Sequence, residues 1–162
     1  MIGRIQPLLL PVATFILALA LSIIPLGDRA APFRPDWVLL VLIYWAIVRP
    51  GHFGLVTAFA MGLALDLLTG APLGRHALAL LPVVFVALKL RLRIRVAVGW
   101  QVAVTVTLML VLYHFLLFWI DGASQRAIPA AVTWAPLLSS ALLWPLVMLA
   151  LGGFGRDNMK AT

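Results

Sequence analysis

Cysteine and glutamate are both missing from this chain, and charge of either sign is scarce. Only 10% of its 162 residues are charged, where an ordinary soluble domain carries roughly 25%. Without cysteine there can be no disulfide and no thiolate metal ligand, and the redox compartment leaves no mark on the sequence. All five acidic residues are Asp. So few charges cannot cover a surface that faces water. What is abundant instead is apolar, with 64% hydrophobic residues. The formal net charge of +7 could suggest nucleic acid or anionic lipid. The basic residues, however, lie between apolar runs and form no contiguous binding face, so membrane topology explains them better.

A helix that crosses a hydrocarbon core of roughly 30 Å needs about 20 mostly apolar residues. Six segments are predicted, at 7–26, 35–48, 54–68, 77–90, 97–120 and 131–151, with a cytoplasmic tail over 152–162. The expected fold class is an all-α, polytopic membrane protein in one transmembrane domain. Lipid cannot satisfy a bare backbone amide, and continuously apolar runs lack the alternation of barrel strands. Segments two to four are short: about 14 or 15 apolar residues reach only some 21 to 23 Å. They tilt little, thin the bilayer or form a re-entrant pair; six spans are preferred to four with a re-entrant hairpin. Arg4, the apolar run after it and Ala18-Leu19-Ala20 also have the outline of a cleavable signal. Apolar sequence continues through Leu21, Ile23, Ile24 and Leu26, which favours a retained first helix.

With six spans, one side holds Arg4, Arg49, Lys89, Arg91, Arg93, Arg95, Arg156 and Lys160. The other holds Arg29, Arg34, Arg75 and Arg126, offset by Asp28, Asp36, Asp66 and Asp121. The more basic side, which includes both termini, is expected to face the cytoplasm.

Gly54, Ala58, Gly62, Asp66 and Gly70 recur at intervals of four, forming a stripe of small residues that ends in a carboxylate. Such a stripe lets another helix approach closely, either within the chain or from a partner or second copy. Asp66 is costly in a membrane and lies near a helix carboxyl end, where the macrodipole repels negative charge. Arg75 and His76 follow the short loop after it, so an intrachain ion pair is the simpler expectation. A proton relay or substrate ligand is the functional alternative, but no second membrane-embedded carboxylate is available to complete a relay. Arg34, Asp36 and Trp37 complete an expected outer-face cluster with Arg75 and His76. Lys89, Arg91, Arg93 and Arg95, interleaved with Leu90, Leu92 and Ile94, read as a cytoplasmic basic loop that orients the chain and attracts anionic lipid.

Thr107, His114 and Asp121 are spaced by seven and share a helix face; His114 is expected to be hydrogen-bonded inside the bundle. The histidines at 52, 76 and 114 lack metal-ligand spacing. Pro136 and Pro145 are candidate kinks beside Ser139 and Ser140. No nucleophile, base and orienting acid assemble, and no glycine-rich phosphate loop is present, so neither catalysis nor a cofactor is expected.

Several of these stretches together resemble the bacterial rod shape-determining membrane protein MreD family. They are Arg34-Pro35-Asp36-Trp37, Gly62-Leu63-Ala64-Leu65-Asp66-Leu67-Leu68-Thr69-Gly70 with Leu73-Gly74, the Tyr113 to Trp119 aromatic run, and Ser140-Ala141-Leu142-Leu143-Trp144-Pro145. The resemblance implies a small inner-membrane component of the cell-elongation machinery, with six spans. It implies MreC as partner and, through it, the MreB filament, the SEDS peptidoglycan glycosyltransferase and its penicillin-binding transpeptidase. It supplies no catalytic residues. Two other classes stay open: a solute-capturing subunit like those of energy-coupling-factor transporters, with a pocket from Thr107, His114 and Asp66, and a small membrane enzyme acting on lipid-linked wall precursors.

Overall fold

The computed structural model describes residues 6–24, 33–97, 99–124 and 130–159. They form six helices: α1 (Gln6–Ile23), α2 (Trp37–Val48), α3 (Leu55–Thr69), α4 (Arg75–Val96), α5 (Gly99–Ala123) and α6 (Ala130–Met159). There is no strand among the described residues. Arg4, Asp28, Arg29, Arg126 and Lys160 lie outside them, as do the side chains of Arg95 and Arg156.

The shortest helix is the innermost. Residues Val38 to Ile47 of α2 are all buried, as befits a helix apolar on every side. It packs against α1, α4 and α6. Hydrogen bonds from its buried aromatics help to place it: Trp45 Nε1 donates to Thr14 Oγ1 of α1 at 2.9 Å, and the Tyr44 hydroxyl donates to the Leu151 carbonyl of α6 at 2.7 Å.

α3 and α4 form the most extensive helix pair, joined by a turn that needs two glycines. Gly70 closes α3 in the left-handed region at φ 65°, and its N–H returns to the Asp66 carbonyl. Gly74, at φ 97°, precedes α4. A Cβ is strained at both φ values, which glycine adopts freely. Further along the same pair, a Cβ placed on Gly62 would lie 2.3 Å from the Ala77 Cα. The backbones of α3 and α4 therefore touch at that point.

Two elements extend past their expected limits. α4 continues to Val96, so Lys89, Arg91 and Arg93 belong to a helix and not to a loop. The interleaved apolar residues explain this, since Leu90 packs against the core and Ile94 is buried in it. Cations near a helix carboxyl end are also favourable to the dipole. α6 runs as one helix through Pro136 and Pro145 to Met159, taking in residues expected to form a tail.

The core is apolar, yet much of the outer surface is apolar too. Leu17, Val56, Leu67, Leu108, Leu142 and Leu149 are among many exposed large apolar residues, whereas Asp66, His76, His114, Asp121 and Ser140 are buried. α5 and Val132–Gly152 of α6 are each long and apolar enough to cross a membrane. Exposed apolar area on this scale needs a non-aqueous contact.

Candidate functional site

The buried polar residues gather where α1, α3 and α5 end and α2, α4 and α6 begin. Asp66 is fully buried. Its Oδ2 accepts the Gly74 N–H at 2.8 Å, and its Oδ1 accepts the His76 N–H at 2.9 Å and lies 2.7 Å from His76 Nδ1. The carboxylate at the unfavourable end of α3 is thus a cap for the first turn of α4, where the helix dipole favours negative charge. The expected cost of Asp66 is offset by the next helix.

Of the two partners expected for Asp66, the structure supplies one. His76 partners Asp66, but Arg75 reaches α5, where Nε and Nη2 each lie 2.6 Å from a carboxylate oxygen of Asp121. This two-point contact suits the planar guanidinium. Arg75 Nη1 also stands 2.9 Å from His76 Nε2. A guanidinium can only donate, so Nε2 accepts, and His76 is a neutral ring donating Nδ1–H to Asp66. Asp66, His76, Arg75 and Asp121 therefore form one chain across α3, α4 and α5. Asp121 is thereby connected to Asp66 through two side chains.

A second group links α2, α5 and α6. The Asp36 N–H donates to Ser140 Oγ at 2.9 Å, and that hydroxyl lies 3.3 Å from Asp36 Oδ2. His114 Nε2 is 2.9 Å from the same oxygen, though out of line for a hydrogen bond, and His114 Nδ1 has no partner. His114 is therefore inside the bundle as expected, but held by ion-pair distance and ring contacts with Tyr113 and Trp134. A third link joins α1 to the start of α2: Arg34 gives Nη1 to the Ser22 carbonyl at 2.7 Å and Nη2 to the Ile24 carbonyl at 2.9 Å. A cation there satisfies free carbonyls at a helix end.

Arg34, Asp36, Arg75 and His76 of the expected cluster surround one cavity of about 230 Å³, together with His114 and Tyr113. Trp37 does not line it and packs against the apolar core. Pockets for drug-sized ligands run about 300–1,000 Å³, so the space is small for a vitamin-sized solute. Thr107 instead bonds the Ala103 carbonyl of its own helix.

The small-residue stripe is divided. Ala58, Gly62 and Asp66 are buried in the fold, with Gly62 against α4, while Gly70 is exposed and serves the turn. Gly54 is half-buried at the start of α3. No cluster of metal-binding residues is found among the described residues. Lys89 lies with Nζ 4.8 Å from the Phe85 ring centre, about four turns along α4 from Arg75 at the polar end.

A bundle with apolar flanks outside and polar groups inside its helix ends has the build of an integral membrane protein. The chain belongs to the MreD family: the profile described as rod shape-determining protein MreD matches residues 2–152. It is also similar to a rod shape-determining protein MreD of Haemophilus influenzae, with 30% identity over 138 residues, covering 83% of each chain. No solved structure matches.

Proposed function

We propose that this protein is a non-enzymatic scaffold of bacterial cell elongation. In this reading it crosses the inner membrane six times with both termini in the cytoplasm, and binds MreC within the bilayer. Through MreC it helps to organise the MreB filament, the SEDS glycosyltransferase and the penicillin-binding transpeptidase. Family membership carries the proposal. The geometry supports it, because the buried charged groups are engaged in joining helix ends. Such links hold a bundle in one arrangement, which a scaffold requires.

The orientation rests on the polar end carrying paired charges while α4 carries Lys89, Arg91 and Arg93 near its other terminus. At about 1.5 Å per residue the 22 residues of α4 extend about 33 Å, enough to place these ends on opposite sides of a hydrocarbon core. Because α4 covers the middle of the α3 stripe, substitutions at Gly62 act first on the chain's own fold. Contact with MreC then falls to the exposed apolar flanks.

The test is to express a tagged copy in rod-shaped cells that lack their own. MreC should co-isolate from detergent extracts and the cells should regain rod shape. Restored rods without MreC association would contradict the scaffold reading.

A further inference from the structure

The helices offer lipid different lengths of apolar surface. On α5, exposed Trp100 and Trp119 lie about 28 Å apart along the axis at about 1.5 Å per residue. That is the spacing of two aromatic belts across a hydrocarbon core of roughly 30 Å. On α3 the exposed large apolar residues run only from Leu55 to Leu68, about 20 Å. Exposed His52 precedes them, and exposed Thr69 and Gly70 follow. α2 is shorter still, but protein encloses it, so its length need not match lipid.

α4 repeats the short measure. It leaves the same turn as α3, and about 21 Å separates Arg75 from exposed Lys89. Lys89 does not carry its charge outward, because Nζ lies over the ring of Phe85, one turn back toward the polar end. A cation is costly in hydrocarbon, so the apolar core ends before Lys89 on this flank. The pairing of Arg75 with Asp121 sets the polar ends of α4 and α5 at one height. The same distance along α5 from Asp121 reaches Thr107, between Val104 and Leu108, which are exposed and apolar. The shortfall of about 8 Å therefore falls beside α3 and α4, at the end away from the polar cluster.

Tilt cannot reconcile the two flanks, since it shortens the reach of a helix across the membrane. A short apolar face is met instead by a thinner bilayer or by association. The small residues of α3 that would seat another helix, Ala58 and Gly62, are already buried within the fold, which leaves Val56, Phe59, Leu67 and Leu68 to lipid. We propose that the flank of α3 and α4 thins the membrane beside it and gathers phospholipids with short acyl chains. The inference rests on the membrane-spanning reading and needs no MreC.

The purified full chain, held in nanodiscs of equal dimyristoleoyl and dieicosenoyl phosphatidylcholine, tests it by native mass spectrometry of the retained lipid. The headgroups are identical, so the basic run on α4 does not discriminate between the two lipids. The wild type should retain the shorter lipid over the longer by about threefold. His52→Leu/Thr69→Leu/Lys89→Leu, which lengthens the apolar band at both ends, should bring retention close to equal. Lys89→Leu alone, at an exposed site, should reduce the enrichment and keeps the test available if the triple variant fails to fold. Equal retention by the wild type, enrichment unchanged in a folded variant, or dimers that show no chain-length preference would overturn the proposal. Failure to enter nanodiscs would overturn the spanning reading as well, whereas entry without preference overturns only the thinning.

Discussion

Where α3 turns into α4, carboxylates, guanidinium groups and imidazoles lie inside the bundle and face one another. Near the far end of α4, Lys89 and Arg93 are exposed and Arg91 is half-buried. Inside the fold, the hydrogen bonds of Tyr44 and Trp45 are made by neutral groups. The difference shows two uses of charge in a chain that has little of it. Buried and paired, charge fixes which helix ends meet, and breaking one partner is costly. Left at the surface, it contributes little to the fold and acts on what lies outside, such as anionic lipid.

The comparison is broken most severely at the seam beside the polar end. Gly62→Leu places a side chain where even a Cβ would be 2.3 Å from the Ala77 Cα. It should cost about 3 kcal/mol or more in SDS-titrated unfolding from mixed micelles, or prevent folding. Wild-type stability in this variant would mean that α3 and α4 do not touch there. Next in size is Asp121→Ala, which strands the largely buried Arg75 guanidinium and should cost about 3–5 kcal/mol by the same titration. The double variant Arg75→Met/Asp121→Leu should recover most of that loss, and failure to recover it would show that the pair does more than hold α4 to α5.

Asp66→Asn keeps the shape but weakens three charge-assisted bonds to α4. A loss of about 1.5–3 kcal/mol is expected. At the other end, Arg91→Gln/Arg93→Gln should change stability by no more than about 0.5 kcal/mol. The same pair should lose about 1 kcal/mol per residue of attraction to anionic lipid, measured by the anionic lipid the chain retains from mixed nanodiscs. A large stability loss here would erase the distinction between the two ends.

The helices were readable because continuous apolar runs and Gly or Pro punctuation are local signals. The bond from Asp66 to His76 was readable too, since ten residues and one turn separate them. Arg75 with Asp121 and Asp36 with Ser140 were not, because the partners lie 46 and 104 positions apart. Spacing by seven placed His114 and Asp121 on one face of α5 but could not say what lay opposite. The extension of α4 was missed because alternating Lys, Arg and Leu reads as an interface loop until Ile94 is seen in the core. The shortness of α2 was visible from the Pro35-Asp36 start and the Pro50-Gly51 break, whereas its enclosure by α1, α4 and α6 is a property of the assembled bundle.

Because the chain has no native cysteine, single cysteines can report directly on which surfaces meet water and from which side. Leu73→Cys, at an exposed turn by the polar end, and Arg93→Cys, near the exposed end of α4, are to be labelled with a membrane-impermeant maleimide in intact spheroplasts and after permeabilisation. The account predicts that Leu73→Cys labels in intact spheroplasts and Arg93→Cys only once they are permeabilised. Labelling of both in intact spheroplasts, or the reverse order, would contradict a bundle that spans the bilayer with its paired charges outermost.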